Sequence, residues 1–237
     1  MRLVEAAERD GVVLRLLGGM AIYLHVGDLM HRSLAREIRD IDFVTPKAHA
    51  RRARDLLAAE GYEQDATFNA THGARRLLFY DRPHGRQVDI FVDVFEMCHL
   101  LPLADRLQVE PVTLPLAELL LTKLQIVKLN RKDLLDAYAL LLAHEVADHD
   151  DDAINASRIA ELAARDWGLH RTVELTLERL RAGLADVELD DEQRALVQAR
   201  LDAIERAMAA APKTNRWRMR ARVGERVRWY EDPDEVG

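Results

Sequence analysis

Leu16-Leu17-Gly18-Gly19-Met20-Ala21-Ile22, then an arginine-bearing interval, then Arg39-Asp40-Ile41-Asp42-Phe43-Val44-Thr45 form the stretch whose reading decides the fold. Asp40 and Asp42 open an apolar run of strand character, and residues two apart on a strand point to the same face. Two carboxylates therefore converge on one point, where like charges repel unless a cation accompanies them. Mg²⁺ or Mn²⁺, hard ions that prefer oxygen donors, suit such a pair. Gly18-Gly19 closes a short apolar run and precedes Met20-Ala21-Ile22-Tyr23-Leu24, whose pattern is helical. That order puts unhindered backbone amides at a helix N-terminus, an anion site. The stretch thus reads as a divalent-metal and nucleotide-phosphate site.

Working outward, residues 1 to 10 read as a short amphipathic helix ended by Gly11, and residues 12 to 17 as a first strand. A helix is expected from about Met20 to Val26. The interval from Gly27 to Arg39 is loop-like and carries His31, Arg32, Arg36 and Arg39. Guanidinium groups suit phosphate oxygens, and they equally suit a solvated loop. Thr45-Pro46 is a helix-start signature for a helix from Lys47 to Glu60, with Gly61 as its C-cap. From Tyr62 to Asp81 the pattern turns short and β-like, with Arg76-Leu77-Leu78-Phe79-Tyr80 its clearest strand. Gln87 to Phe95 then alternates, so that Gln87, Asp89, Phe91 and Asp93 are expected on one face and Val88, Ile90, Val92 and Val94 on the other. Asp89 and Asp93 would stand about 13 Å apart along that strand, too far to share one ion. Asp89, in mid-strand, is the expected third carboxylate; the alternative is that both merely face solvent.

Beyond Pro111 the sequence turns helical almost without interruption, which divides the chain into an α/β domain, residues 1–108, and a helical domain, residues 109–237. Thr113 is expected as a cap and Pro115 near the first turn of a helix running to Asn130; Arg131-Lys132-Asp133 starts the next. Lys123 then meets Asp133 or Asp136 across a helical hairpin. Either its stem snorkels, or its ammonium is directed at a phosphate or carboxylate. The acidic run Ala147-Asp148-His149-Asp150-Asp151-Asp152 reads as a helix-capping loop rather than a metal site. Helices are expected near 154–165, 167–182 and 190–211. The tail from Lys213 to Arg228 mixes arginines with Trp217, and Trp229 and Tyr230 lie just beyond. Such a mixture fits a nucleic-acid-facing edge, and equally a tail that packs its tryptophans on the bundle.

Composition sets the outer bounds. An apolar fraction of 49% over 237 residues is ample for a core, and the net charge of −7 argues against general coating of nucleic acid, so any RNA affinity must be regional. Cys98 is the only cysteine, which excludes an internal disulfide and a cysteine-ligated zinc site. The first residues contain no apolar signal core, and no run is long enough to span a bilayer, so no membrane partner and a cytoplasmic location are expected.

Taken together, Gly18-Gly19, Asp40-Ile41-Asp42 and Asp89 resemble the DNA polymerase beta-like nucleotidyltransferase superfamily, in which a Gly-Gly or Gly-Ser turn precedes Asp-x-Asp and a later third Asp. Within it the chain is most similar to the AbiEii-like (MenA-like) nucleotidyltransferases of toxin-antitoxin systems. Arg36 ahead of Asp40-Ile41-Asp42, the helix segment Leu120-Leu121-Thr122-Lys123, and Lys132-Asp133-Leu134-Leu135-Asp136 carry that likeness, which covers about residues 12 to 142. Two departures stand out: Ile38 where many relatives have a hydroxyl residue, and Gly19 where a serine is common. The resemblance implies an α+β fold, a small mixed β-sheet domain followed by a C-terminal helical bundle that closes one wall of the cleft. It implies Asp40, Asp42 and Asp89 as ligands of Mg²⁺ or Mn²⁺, and Asp89, Lys123 and Asp133 as catalytic. Gly18, Gly19, Arg36, Arg39 and Lys123 would bind the nucleotide. The implied reaction moves a nucleoside monophosphate from a nucleoside triphosphate (NTP) to an acceptor hydroxyl with release of pyrophosphate. The acceptor could be RNA, a protein hydroxyl or a small molecule such as an aminoglycoside, and a cognate antitoxin is an implied protein partner. A nucleotidyltransferase scaffold without activity, serving as a binding partner, is the rival expectation.

Overall fold

The computed structural model describes residues 2–232; Met1, part of the expected first helix, and residues 233–237, part of the expected second domain, lie outside the described residues. The chain divides into two units, an α+β unit and a helical unit. The first comprises residues 1–24, 37–95 and 100–115, the second residues 25–36, 96–99 and 116–237.

The α+β unit begins with α1 (Arg2–Arg9), whose Leu3, Val4, Ala6 and Ala7 are buried. There follow β1 (Arg15–Leu17), α2 (Gly18–Val26), β2 (Ile41–Thr45), α3 (Ala50–Ala59), β3 (Glu63–Gln64), α4 (Ala66–His72), β4 (Arg76–Asp81), β5 (Arg86–Val92), β6 (Val94–Glu96) and β7 (Leu100–Pro102). Five strands form one sheet in the order β1-β2-β5-β4-β3. β2 and β5 run parallel at its centre, and the other pairs are antiparallel. A parallel pair needs a crossover, and everything from α3 to β4 supplies it. Phe43, Val44, Leu78, Phe79, Val88 and Ile90 are at most 2% exposed, so the central strands are buried on both faces.

Several expectations are revised. α4 lies inside the segment read as β-like, because Asp65 caps it by accepting from Phe68 N at 2.9 Å. Asn69 of α4 then mimics a strand: its Nδ2 donates to Leu78 O at 3.1 Å and its Oδ1 accepts from Leu78 N at 2.7 Å. Thr113 is not a helix cap. Leu16 N donates to Val112 O and Leu114 N to Leu16 O, both at 2.9 Å, so this segment lines the edge of β1 and the α+β unit extends to Pro115.

The helical unit contains α5 (Leu116–Leu124), α6 (Arg131–Ala143), β8 (Glu145–Ala147), β9 (Ala153–Asn155), α7 (Ala156–Arg165), α8 (Trp167–Gly183), α9 (Asp191–Ala210) and α10 (Asn215–Val223). Polar side chains cap the helix starts: Asn130 for α6, Asn155 for α7, Asp166 for α8, and an Asp190/Gln193 capping box for α9. α5 is buried along almost its whole length and stops at Leu124, well short of Asn130. Fully buried Gln125 just beyond it accepts from His99 N at 2.8 Å. The acidic run spans the turn between β8 and β9, a parallel pair the alternation did not suggest. No helix among the described residues is long and apolar enough to cross a membrane.

Candidate active site

The carboxylates of the α+β unit are placed by register. Asp42 of β2 lies opposite Asp89 of β5 and, on its other side, opposite Leu17 of β1. Register partners on adjacent strands share a face and stand about 5 Å apart, so the two carboxylates are neighbours. Asp42 is half-buried and Asp89 only 2% exposed. Asp40 is exposed, one residue ahead of β2, and carries its carboxylate at the open end of the same strand.

Gly18 follows Leu17, adopts φ +68°, and is the first residue of α2. A Cβ there would stand 2.2 Å from Asp42 Oδ2, so the carboxylate occupies the space that a side chain at position 18 would need. Glycine is required twice, for the backbone angle and for the approach. The carboxylate consequently lies at the N-terminus of α2, where the dipole favours negative charge. Gly19, half-buried, is the next residue of that helix.

Asp89 has partners of its own. Arg76 Nε donates to its Oδ1 at 2.7 Å, and Gln87 Nε2 to its Oδ2 at 2.8 Å. The guanidinium carbon of Arg76 lies 5.7 Å from the ring centre of Phe68 and 5.3 Å from that of Phe91. Antiparallel pairing puts Arg76 opposite Phe91 and Leu78 opposite Asp89, so arginine and aspartate meet diagonally on one face. Alternation along the sequence sets Gln87 on the face of Asp89, but it gives Arg76 no role beyond its strand. An arginine heading an apolar strand, two residues out of step with a buried aspartate, was the available signal.

Asp93 does not share the face of Asp89. β5 ends at Val92, and Asp93 takes φ +62°, a left-handed kink that breaks the alternation. Its Oδ1 instead accepts from Lys47 N at 2.8 Å. Arg39 is exposed and pairs with exposed Glu37 through Nη2 at 2.8 Å, a contact of little energetic weight.

In kind, these donors suit a hard divalent cation: the Asp42 carboxylate beside the Gly18 turn, Asp89 next in register, and Asp40 two residues ahead of Asp42. Among the described residues no three acidic, histidine or cysteine side chains are already gathered as a cage.

The helical unit assembles a second set by itself. Arg36 Nε and Nη2 donate to the two oxygens of Asp136, each at 2.7 Å. Lys123 Nζ lies 2.9 Å from Asp136 Oδ2 and 3.1 Å from Asp133 Oδ1. Lys123 therefore does not snorkel, and the expected α5–α6 hairpin contact forms. Burial alone would lower the Lys123 pKa, but Asp136 and Asp133 together outweigh it and raise it. Burial likewise pushes Asp136 up, and the Arg36 and Lys123 bonds prevail and hold it below the usual carboxylate range. Two cations and two anions thus close into a neutral network.

In the tail, aromatic rings turn inward. Trp217 meets His170 edge-on at 5.1 Å, Trp229 meets Trp167 at 6.2 Å, and Arg220 lies over Trp167 at 4.7 Å. Arg220 also donates to Gly224 O and Val227 O, both at 2.7 Å. Arg216, Arg218, Arg222 and Arg226 remain exposed. Of these only Arg216 joins Trp167, Trp217, Arg220, Arg228 and Trp229 in lining a cleft of about 320 Å³.

No protein-family model matches the sequence, and no curated protein matches it. Among solved structures, one described as the "STING-associated CdnE c-di-GMP synthase from Capnocytophaga granulosa" aligns over 89% of this chain and 82% of that chain, at 13% identity and a TM-score of 0.24.

Proposed function

We propose that the α+β unit is a metal-dependent nucleotidyltransferase that moves a nucleoside monophosphate from an NTP to an acceptor hydroxyl. The observation that carries this reading is the register of Asp42 with Asp89 beside Gly18, whose missing side chain admits the Asp42 carboxylate to the start of α2. Asp40, Asp42 and Asp89 would hold Mg²⁺ or Mn²⁺, which when bound stabilises charge on the entering and leaving oxygens. The amides of Gly18 and Gly19 at the helix N-terminus would meet the phosphates, with Arg39 as a further cation. The acceptor oxygen forms a bond to the α-phosphorus, the bond to the pyrophosphate oxygen breaks, and Asp89 takes the hydroxyl proton. Arg36, Lys123 and Asp133 are assigned a bracing role, since each is committed to the buried network of the helical unit.

RNA is the acceptor we favour, on the strength of the exposed tail arginines and of the resemblance to toxin nucleotidyltransferases. The test adds α-labelled NTP and Mg²⁺ to tRNA with the intact protein and with Asp42→Asn, and follows which polymer becomes labelled. Label in RNA that vanishes in Asp42→Asn supports the reading. Label that persists in the variant overturns the metal assignment, and label only in protein or small molecules overturns RNA. RNA affinity should also fall steeply with salt, and removing Arg218 and Arg222 should flatten that slope by about 2.

A second reading, a binding partner without transferase activity, is favoured by one observation: both oxygens of Asp89 are already engaged by Arg76 and Gln87. Titration of NTP with and without Mg²⁺ separates the two, because a silent scaffold shows no metal-dependent affinity.

A further inference from the structure

Arg76, partly buried on β4, has as its partner a carboxylate assigned to chemistry. Its side chain is 25% exposed and that of Asp89 3%, so the carboxylate is shielded from water, where a charge-assisted bond of 2.7 Å is strong. A divalent ion and a guanidinium cannot both take the same lone pair of Asp89 Oδ1. The Arg76 guanidinium lies over the rings of Phe68 and Phe91, an attraction that persists whatever Asp89 binds. Gln87 on the other oxygen is neutral and competes far less. We propose that Arg76 is the resident counter-cation of Asp89, and that a divalent metal binds this protein only by displacing Arg76 from that carboxylate. Arg76 is thus a positioning residue that sets metal affinity: it keeps Asp89 neutralised while metal is absent, and it weakens metal binding by the strength of the bond that must be given up.

The inference rests on the reading of Asp89 as a metal ligand, and the experiment keeps the two apart. Mn²⁺ binding is measured by electron paramagnetic resonance without nucleotide, together with melting temperature with and without Mn²⁺. The proteins are the intact chain, Arg76→Met, Arg76→Lys, and Arg76→Met combined with Asp89→Asn. Arg76→Met keeps an apolar stem beside the rings and removes the competing charge. It should bind Mn²⁺ about tenfold more tightly, the order expected for one charge-assisted hydrogen bond. Its melting temperature should be lower without metal and recover at saturating Mn²⁺. Arg76→Lys keeps the charge but not the guanidinium fork, so it should fold normally and show a smaller gain, which keeps the test valid if the methionine variant fails to fold. Adding Asp89→Asn should erase the gain. Mn²⁺ affinity that is equal or weaker in both Arg76 variants, with clear binding to the intact protein, overturns the inference and leaves the metal site standing. Absence of Mn²⁺ binding from every protein overturns the metal reading and the inference with it.

Discussion

Gly18 shows how much a single residue can fix. Its left-handed backbone and the 2.2 Å approach of Asp42 Oδ2 to the place of a Cβ leave no room for alanine. Gly18→Ala should destabilise the fold by about 2 kcal/mol or more in urea unfolding, combining a positive-φ cost with displacement of the carboxylate. Asp42→Asn changes charge without changing shape, so it should abolish transfer while leaving the circular dichroism spectrum intact. Asp93 makes the contrast. Asparagine tolerates the left-handed region and can still accept from Lys47 N, so Asp93→Asn should retain activity and lie within about 0.5 kcal/mol of the parent, whereas Asp89→Asn should lose activity.

At the scale of elements, ion pairs tie helices of the helical unit together. Lys123 of α5 faces Asp133 and Asp136 of α6, and Lys123→Met would leave two buried carboxylates with Arg36 alone. Removing one member of such a network costs about 3–5 kcal/mol, so this variant should be strongly destabilised in urea unfolding. Arg158 of α7 and Glu118 of α5 form another buried pair at 2.9 Å, with Glu118 only 1% exposed. Arg158→Met alone should be destabilised to a similar degree. Arg158→Met with Glu118→Leu should regain much of the loss, because no unpaired charge remains.

For the molecule as a whole, stability should decline on mild acidification. Burial lowers the His99 pKa from 6.5 to about 4, against a smaller opposing effect of Asp166. His99 Nε2 and Thr172 Oγ1 are 2.8 Å apart, and Trp229 Nε1 donates to the same hydroxyl. Between pH 6.5 and about 4 the unfolded chain takes up a proton that the folded chain does not. Stability is therefore complete above pH 6.5 and falls as the pH drops, by up to about 3 kcal/mol. Comparing urea midpoints at pH 7 and pH 4.5 should show a smaller pH effect in His99→Gln than in the intact protein. Truncation after Pro212 removes Trp217 and Trp229 from their places against His170 and Trp167, so the shortened chain should melt several degrees lower.

The sequence by itself determined whatever depends on spacing along the chain. Asp40-Ile41-Asp42 announced a strand bearing carboxylates and Gly18-Gly19 a turn into a helix, because each is set by residues a few positions apart. The hairpin contact of Lys123 with Asp133 and Asp136 was legible for the same reason. Tertiary structure decided what depends on pairing. Asn69 ties α4 to Leu78 of another element, and Leu16 pairs with residues 112–114, which carries the α+β unit past its expected end. Most of all, Arg76 meets Asp89 because β4 and β5 pair in one register, and Asp89 meets Asp42 because β5 and β2 pair in another. Alternation tells which residues share a face of one strand, but only the ladder hydrogen bonds fix which residue of the next strand lies alongside, and a slip of one residue would turn every one of these side chains away.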